Sequence, residues 1–115
     1  MKRIFIICSV RNMPTDYHSA LLQYVISLEQ DGHTVHYPAR DTDQDATGLE
    51  ICQQNAHAID RADEVHIFYR PESQGTHFDM GVAFALHKTI KVIEAVPYEK
   101  GKSFARMLQE WEARC

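Results

Sequence analysis

Arg3-Ile4-Phe5-Ile6-Ile7-Cys8 is almost continuously apolar. A short unbroken run of this kind suits a strand buried on both faces, as at the centre of a parallel sheet. Outward from it, the hydrophobic period switches repeatedly between strand and helix. After a loop, Ser9 to Pro14, the pattern is helical over Thr15 to Gln30, with Leu21, Val25 and Leu28 on one stripe. Gly32 supplies the helix stop. Thr34 to Tyr37 reads as a second strand closed by Pro38, and the acidic stretch Arg40 to Gly48 as a loop. Leu49 to Ala62 is helical, with Cys52, Ala56 and Ile59 as its buried stripe. Glu64 to Tyr69 is the third strand, Pro71 to Gly75 a loop, and Thr76 to Lys88 a helix in which Met80, Ala83 and Leu86 or His87 repeat. Ile90 to Val96 is the fourth strand and Pro97 to Lys102 a turn region. Ser103 then caps a last helix carrying Phe104, Met107, Leu108 and Trp111.

Alternation of this kind predicts parallel strands joined by right-handed crossovers. The expected fold is α/β: a flavodoxin-like three-layer sandwich around a four- or five-stranded parallel sheet of order 2-1-3-4, as one domain over residues 1–115. A domain of this length buries roughly two-thirds of the surface its unfolded chain exposes, so neither disulfides nor metal are needed to hold it. Cys8, Cys52 and Cys115 are odd in number and lack paired spacing, which excludes a disulfide framework or zinc-ligand pattern. Twelve Lys and Arg against sixteen Asp and Glu give a net charge of −4, and the basic residues are scattered. That argues against a nucleic-acid polymer as partner. No apolar run approaches the ~20 residues that span a bilayer. The apolar stretch from Ile4 to Val10 is too short for a signal-peptide core, so the cytosol is the expected compartment.

In such sheets the strand order reverses between strands 1 and 3, and ligands bind in the crevice at the strands' carboxyl ends. Two loops flank it: Ser9-Val10-Arg11-Asn12 and Pro71-Glu72-Ser73-Gln74-Gly75. Each offers a hydroxyl and precedes a helix whose first N–H groups favour an anion. Arg11 adds a forked cation suited to phosphate. Gly75 permits a tight loop at the helix entrance. Asp79, about one turn inside that helix, is expected to stay ionised near its positive end, as a nucleophile requires. Thr76 to Asp79 also fits a capping box, with Thr76 as N-cap; both roles stand open. Asn55 lies three residues after Cys52 and four before Ile59, so it shares the apolar stripe of its helix and needs polar partners there.

These residues resemble the nucleoside 2-deoxyribosyltransferase superfamily, and more closely its 2'-deoxynucleoside 5'-phosphate N-hydrolase branch. The resemblance runs from about Lys2 to Ile93. It is carried by Ser9-Val10-Arg11, by Ile59 to Val65, and by Ser73-Gln74-Gly75-Thr76-His77-Phe78-Asp79-Met80-Gly81-Val82-Ala83-Phe84-Ala85 against a family pattern near S-x-G-x-x-x-E-x-G-x-A-x-A. It implies cleavage or transfer at an N-glycosidic bond through a glycosyl-enzyme, without cofactor or metal, on a small nucleotide or nucleoside. It implies that Ser9, Val10, Arg11, Asn12, Ser73 and Gly75 bind the substrate and its 5'-phosphate, and that Asp79 and Asn55 occupy the reacting end. The chain departs from the family there: Asp79 stands at the family's nucleophilic Glu and Asn55 at a second acid. His57 and His77 lie near these positions as alternative proton carriers. A homodimer is also expected, from the apolar last helix and the family likeness.

Other signals fail on their own chemistry. Asp41-Thr42-Asp43-Gln44-Asp45 starts like a calcium loop, but Ala46 stands where glycine is needed and Cys52 where the bidentate Glu belongs. His33 and His36 have no partner at ligand spacing and read as surface residues. The third strand ends in Tyr69-Arg70, without the Asp of a phosphoacceptor domain. The competing functions are a degenerate nucleotide-binding or regulatory module and an interaction domain of the same class.

Overall fold

The structure, a computed structural model, describes residues 1–11, 13–94 and 103–115. Its elements are β1 (Arg3–Ile7), α1 (Thr15–Gln30), β2 (Thr34–His36), α2 (Pro38–Asp41), α3 (Gly48–Arg61), β3 (Glu64–Ile67), α4 (Gln74–Ala85), β4 (Thr89–Val92) and α5 (Phe104–Ala113). The four strands form one parallel sheet of order β2-β1-β3-β4, as the alternation predicts. The expected course of residues 95–102 lies outside the described residues.

Consecutive residues of β1 point to opposite faces, and each face has its own core. Ile4 and Ile6 pack with Val35, Phe68 and the α1 residues Leu21 and Val25. Phe5 and Ile7 pack with Val65, Ile67 and Ile90, covered by Ile59 of α3, Met80 and Ala83 of α4, and Leu108 of α5. So α1, with Ala39 of α2 packed beside its cluster, lies on one face, and α3, α4 and α5 cover the other. This explains why β1 reads as an unbroken apolar run: both of its faces are inside.

The element ends correct the sequence expectations in four places. Residues 40–48 are not all loop, because Pro38 opens the short helix α2 as its first residue. The Asp41 carboxylate accepts the Tyr37 N–H at 2.8 Å, closing that turn. Thr76 is not the cap of α4; Ser73 is, accepting the Thr76 N–H at 3.1 Å. The capping box with Asp79 therefore does not form. Gly75 lies within α4 with open space where a side chain would stand, so no tight turn requires it.

Finally, α4 stops at Ala85 rather than Lys88, because His87 adopts φ 57. The N–H groups of Lys88 and His87 turn back to the carbonyls of Ala83 and Phe84, a Schellman ending. The same ending closes α1, with Gly32 at φ 95 in the corresponding position. Glycine announced the first in the sequence; a histidine concealed the second.

Candidate functional site

A cleft of about 500 Å³ opens at the carboxyl ends of β1 and β3, where the strand order reverses. The loop after β1 supplies Ser9, Val10 and Arg11; the loop after β3 and the start of α4 supply Ser73 and Gly75; α3 supplies Asn55 and α4 supplies Asp79. Every sequence-predicted site residue among the described ones thus lines a single cleft. Asn12 lies outside the described residues. Cys8, Met13, Pro38, Gln44, Ile51, Glu72 and Gln74 also line it. Pro38 and Gln44 come from a wall that the sequence did not reveal, because the segment before α3 reads as solvated loop, and Ile51 extends that wall from the first turn of α3. His57 and His77 do not line the cleft: His57 is exposed on α3, and His77 contacts Tyr69, Phe104 and the Ser73 carbonyl instead.

One end of the cleft is rich in donors. Ser73 spends its acceptor capacity on the Thr76 N–H, which leaves its O–H proton to donate outward. Gln74 and Gly75, the first two residues of α4, carry N–H groups that the helix itself cannot satisfy. Arg11 is exposed, and among the described residues it is held by a long contact of 3.5 Å from Nη2 to the Gln44 carbonyl. These donors, on a helix N-terminus beside a guanidinium, suit a phosphate or similar anion.

The other end is buried. Asp79 is 4% exposed. It receives Asn55 Nδ2–H at Oδ2 across 3.5 Å, at the long end of hydrogen bonding. Burial raises its pKa to about 7, and the Asn55 contact only partly opposes this. The expectation of an ordinary ionised carboxylate is therefore corrected. Asp79 lies in the second turn of α4, past the N–H groups that would solvate a charge, and no cation pairs with it among the described residues. Cys8 nearby is pushed up to about 12, first by burial and then by Asp79, so it stays a thiol. Among the described residues, no group of three or more His, Cys, Asp and Glu could hold a metal ion. No helix among them is long and apolar enough to cross a membrane.

A family model described as nucleoside 2-deoxyribosyltransferase matches residues 7–106. No curated protein matches the sequence. Two solved structures share the fold. The Clostridium botulinum CMP N-glycosidase BcmB superposes with a TM-score of 0.64 at 24% identity, covering 79% of this chain and 70% of its own. The 2-desoxiribosyltransferase of Leishmania mexicana superposes with a TM-score of 0.61 at 27% identity, covering 80% of this chain and 63% of its own.

The raised pKa carries a stability consequence whose sign is fixed. Below its ordinary pKa, Asp79 is protonated folded or unfolded, and its burial costs little. Between that value and about 7 the folded state holds a proton that the unfolded state has lost, so stability falls as pH rises, then levels off. Replacing Asp79 by Asn should leave stability nearly unchanged at pH 4 and raise it by on the order of 3–4 kcal/mol at pH 8. Urea unfolding of both proteins at the two pH values checks this; equal gains at both would contradict it.

Proposed function

The chain belongs to the nucleoside 2-deoxyribosyltransferase family, and we propose that it cleaves or transfers at the N-glycosidic bond of a (deoxy)nucleoside 5'-phosphate, with Asp79 as nucleophile. The observation that carries this reading is the single cleft in which a donor-rich end and a buried carboxylate face one ligand. Its volume lies within the usual range for small-molecule sites.

The chemistry runs in two steps. Asp79 attacks the anomeric carbon as the bond to the base breaks. The electron pair leaves with the base, which takes a proton from water, because Asn55 has no titratable proton to give. Water or a second base then displaces the carboxylate from the glycosyl-enzyme, as in retaining glycosidases. The Ser73 hydroxyl, the N–H groups of Gln74 and Gly75, and Ser9, Val10 and Arg11 hold the 5'-phosphate. Binding energy spent there, away from the reacting bond, orients the sugar over Asp79.

Incubation with a panel of nucleoside and deoxynucleoside monophosphates should release free base, measured by chromatography. Asp79→Ala should abolish release while keeping the phosphate-dependent rise in melting temperature. Because only the ionised carboxylate attacks, kcat/KM should fall about tenfold per pH unit below about 7. Stabilisation by phosphorylated ligands without base release would leave a binding module in place of an enzyme. Neither effect with any nucleotide would overturn both readings.

The same family reading takes the chain as a homodimer. On the outer side of α4, Phe78 and Phe84 are 45% and 57% exposed. Large apolar residues gathered on an exposed face suit an interface between copies. Sedimentation velocity should give about twice the chain mass, reduced to the monomer by Phe78→Glu. A monomeric wild type would contradict it.

A further inference from the structure

The buried polar residues of the cleft do not end at Asn55. Its Oδ1 accepts the hydroxyl of Thr42 at 2.7 Å. Thr42 Oγ1 lies in turn 2.8 Å from Nε2 of His36. Thr42 is buried, in the turn after α2, and His36 ends β2 with its ring stacked on Phe5, centroids 5.3 Å apart and planes 12° from parallel.

A threonine hydroxyl has one proton. With that proton given to Asn55, the contact to His36 is satisfied only if Nε2 carries a proton and donates. Donation then runs one way: His36 Nε2–H to Thr42, Thr42 O–H to Asn55 Oδ1, and Asn55 Nδ2–H to Asp79 Oδ2. Turning the Asn55 amide over would reverse the first two bonds: Asn55 would donate to Thr42, and Thr42 to an unprotonated Nε2, with the His36 proton moved to Nδ1. The amide oxygen would then face the carboxylate, and an acceptor facing Asp79 would oppose its ionisation. The orientation with N–H₂ toward Asp79 is thus tied to the Nε2–H form of His36.

We propose that His36 and Thr42 are positioning residues that hold the Asn55 amide with its N–H₂ turned to Asp79, so that the carboxylate can ionise and attack. This deepens the assignment of Asp79 as nucleophile and rests on it. Burial keeps the His36 pKa below its ordinary value, which leaves a neutral ring with one proton to place. Several charged and titratable groups surround the two ends of the chain. At His36, α2 presents Arg40 and Asp41, while Arg3 of β1 and His57 and Arg61 of α3 line the adjoining cleft. At Asp79, β1 presents Cys8, and Arg11 and Glu72 line the cleft from the two loops.

The test is a titration of the Asp79 carboxyl by NMR on full-length protein labelled with ¹³C at aspartate. Thr42→Val keeps the shape of the side chain and removes the hydroxyl; His36→Leu removes the first donor. Thr42→Val should raise the Asp79 midpoint by about one pH unit, and His36→Leu by a smaller amount, because Thr42 can still donate to Asn55 but no longer has a donor holding its own proton in that direction. Thr42→Ser restores the hydroxyl and His36→Gln places an amide N–H near Nε2, so both should return the midpoint to that of the wild type. In the base-release assay, Thr42→Val should move the acid limb of kcat/KM upward by the same amount, with activity recovered at higher pH. Two independent breaks guard against one variant failing to fold. An Asp79 midpoint unmoved in both would overturn the proposal even with an active enzyme. A moved midpoint without base release from the wild type would sustain the positioning chain and overturn the glycosidic reading instead.

Discussion

Asp79 is a carboxylate that the fold has taken out of water, and none of the described residues gives it a cation. The rest of the cleft is best understood from that constraint. A buried carboxylate must either keep its proton or be met by donors. Here it is met by one, the Asn55 amide, at the far end of hydrogen-bonding range. This changes the meaning of the chain's departure from its family pattern at position 55. An acid there would offer a proton to the leaving base, but as a second anion it would push Asp79 further from ionisation. Asparagine gives up the proton and supplies a donor. In the proposed reaction, the departure from the pattern that the family resemblance implies exchanges help for the leaving group for help to the nucleophile.

The scaffold places this carboxylate through two decisions made far from it. The reversal of strand order between β1 and β3 opens the crevice. Ser73, rather than Thr76, starts α4, and this sets the helix phase that buries Thr76, Asp79, Met80 and Ala83 together. From Ser73 to Asp79 the helix rises about 9 Å, so the anion-binding end and the reacting end lie on one rigid element. In the proposed reaction, the charge that attack requires is one that the burial of Asp79 disfavours.

Much of this was legible in the sequence, for physical reasons. Strands buried on both faces and helices with apolar stripes leave strong periodic traces, so the sheet order and the four longer helices could be read directly. The loops after β1 and β3 were also legible, since topology alone directs a ligand to them. Residues 37–42 were not. Pro38 and Asp41 build α2 through one side-chain bond to the Tyr37 N–H, and a four-residue helix has no period to detect. That turn carries Thr42 inward, where the sequence shows only an acidic loop. His36 was concealed likewise: beside His33 it looked like a surface pair, whereas the structure half-buries it between the Phe5 ring and Thr42. The state of Asp79 was misread because helix position was weighed and burial could not be. A carboxylate's pKa depends on what surrounds it in space, and Cys8 and Asn55, which the fold sets beside Asp79, lie far from it in sequence.

The central claim is that Asp79 forms a covalent bond to the anomeric carbon of a nucleotide held in this cleft. Mass spectrometry after incubation with a 2'-fluoro-substituted arabinosyl nucleotide, whose fluorine slows release of the glycosyl-enzyme, tests it most directly. The account requires a mass gain equal to the fluorinated sugar phosphate, located by peptide fragmentation on Asp79 and absent from Asp79→Ala. A sugar found on any other residue, or base released from the analogue with no adduct at any time during turnover, would contradict it.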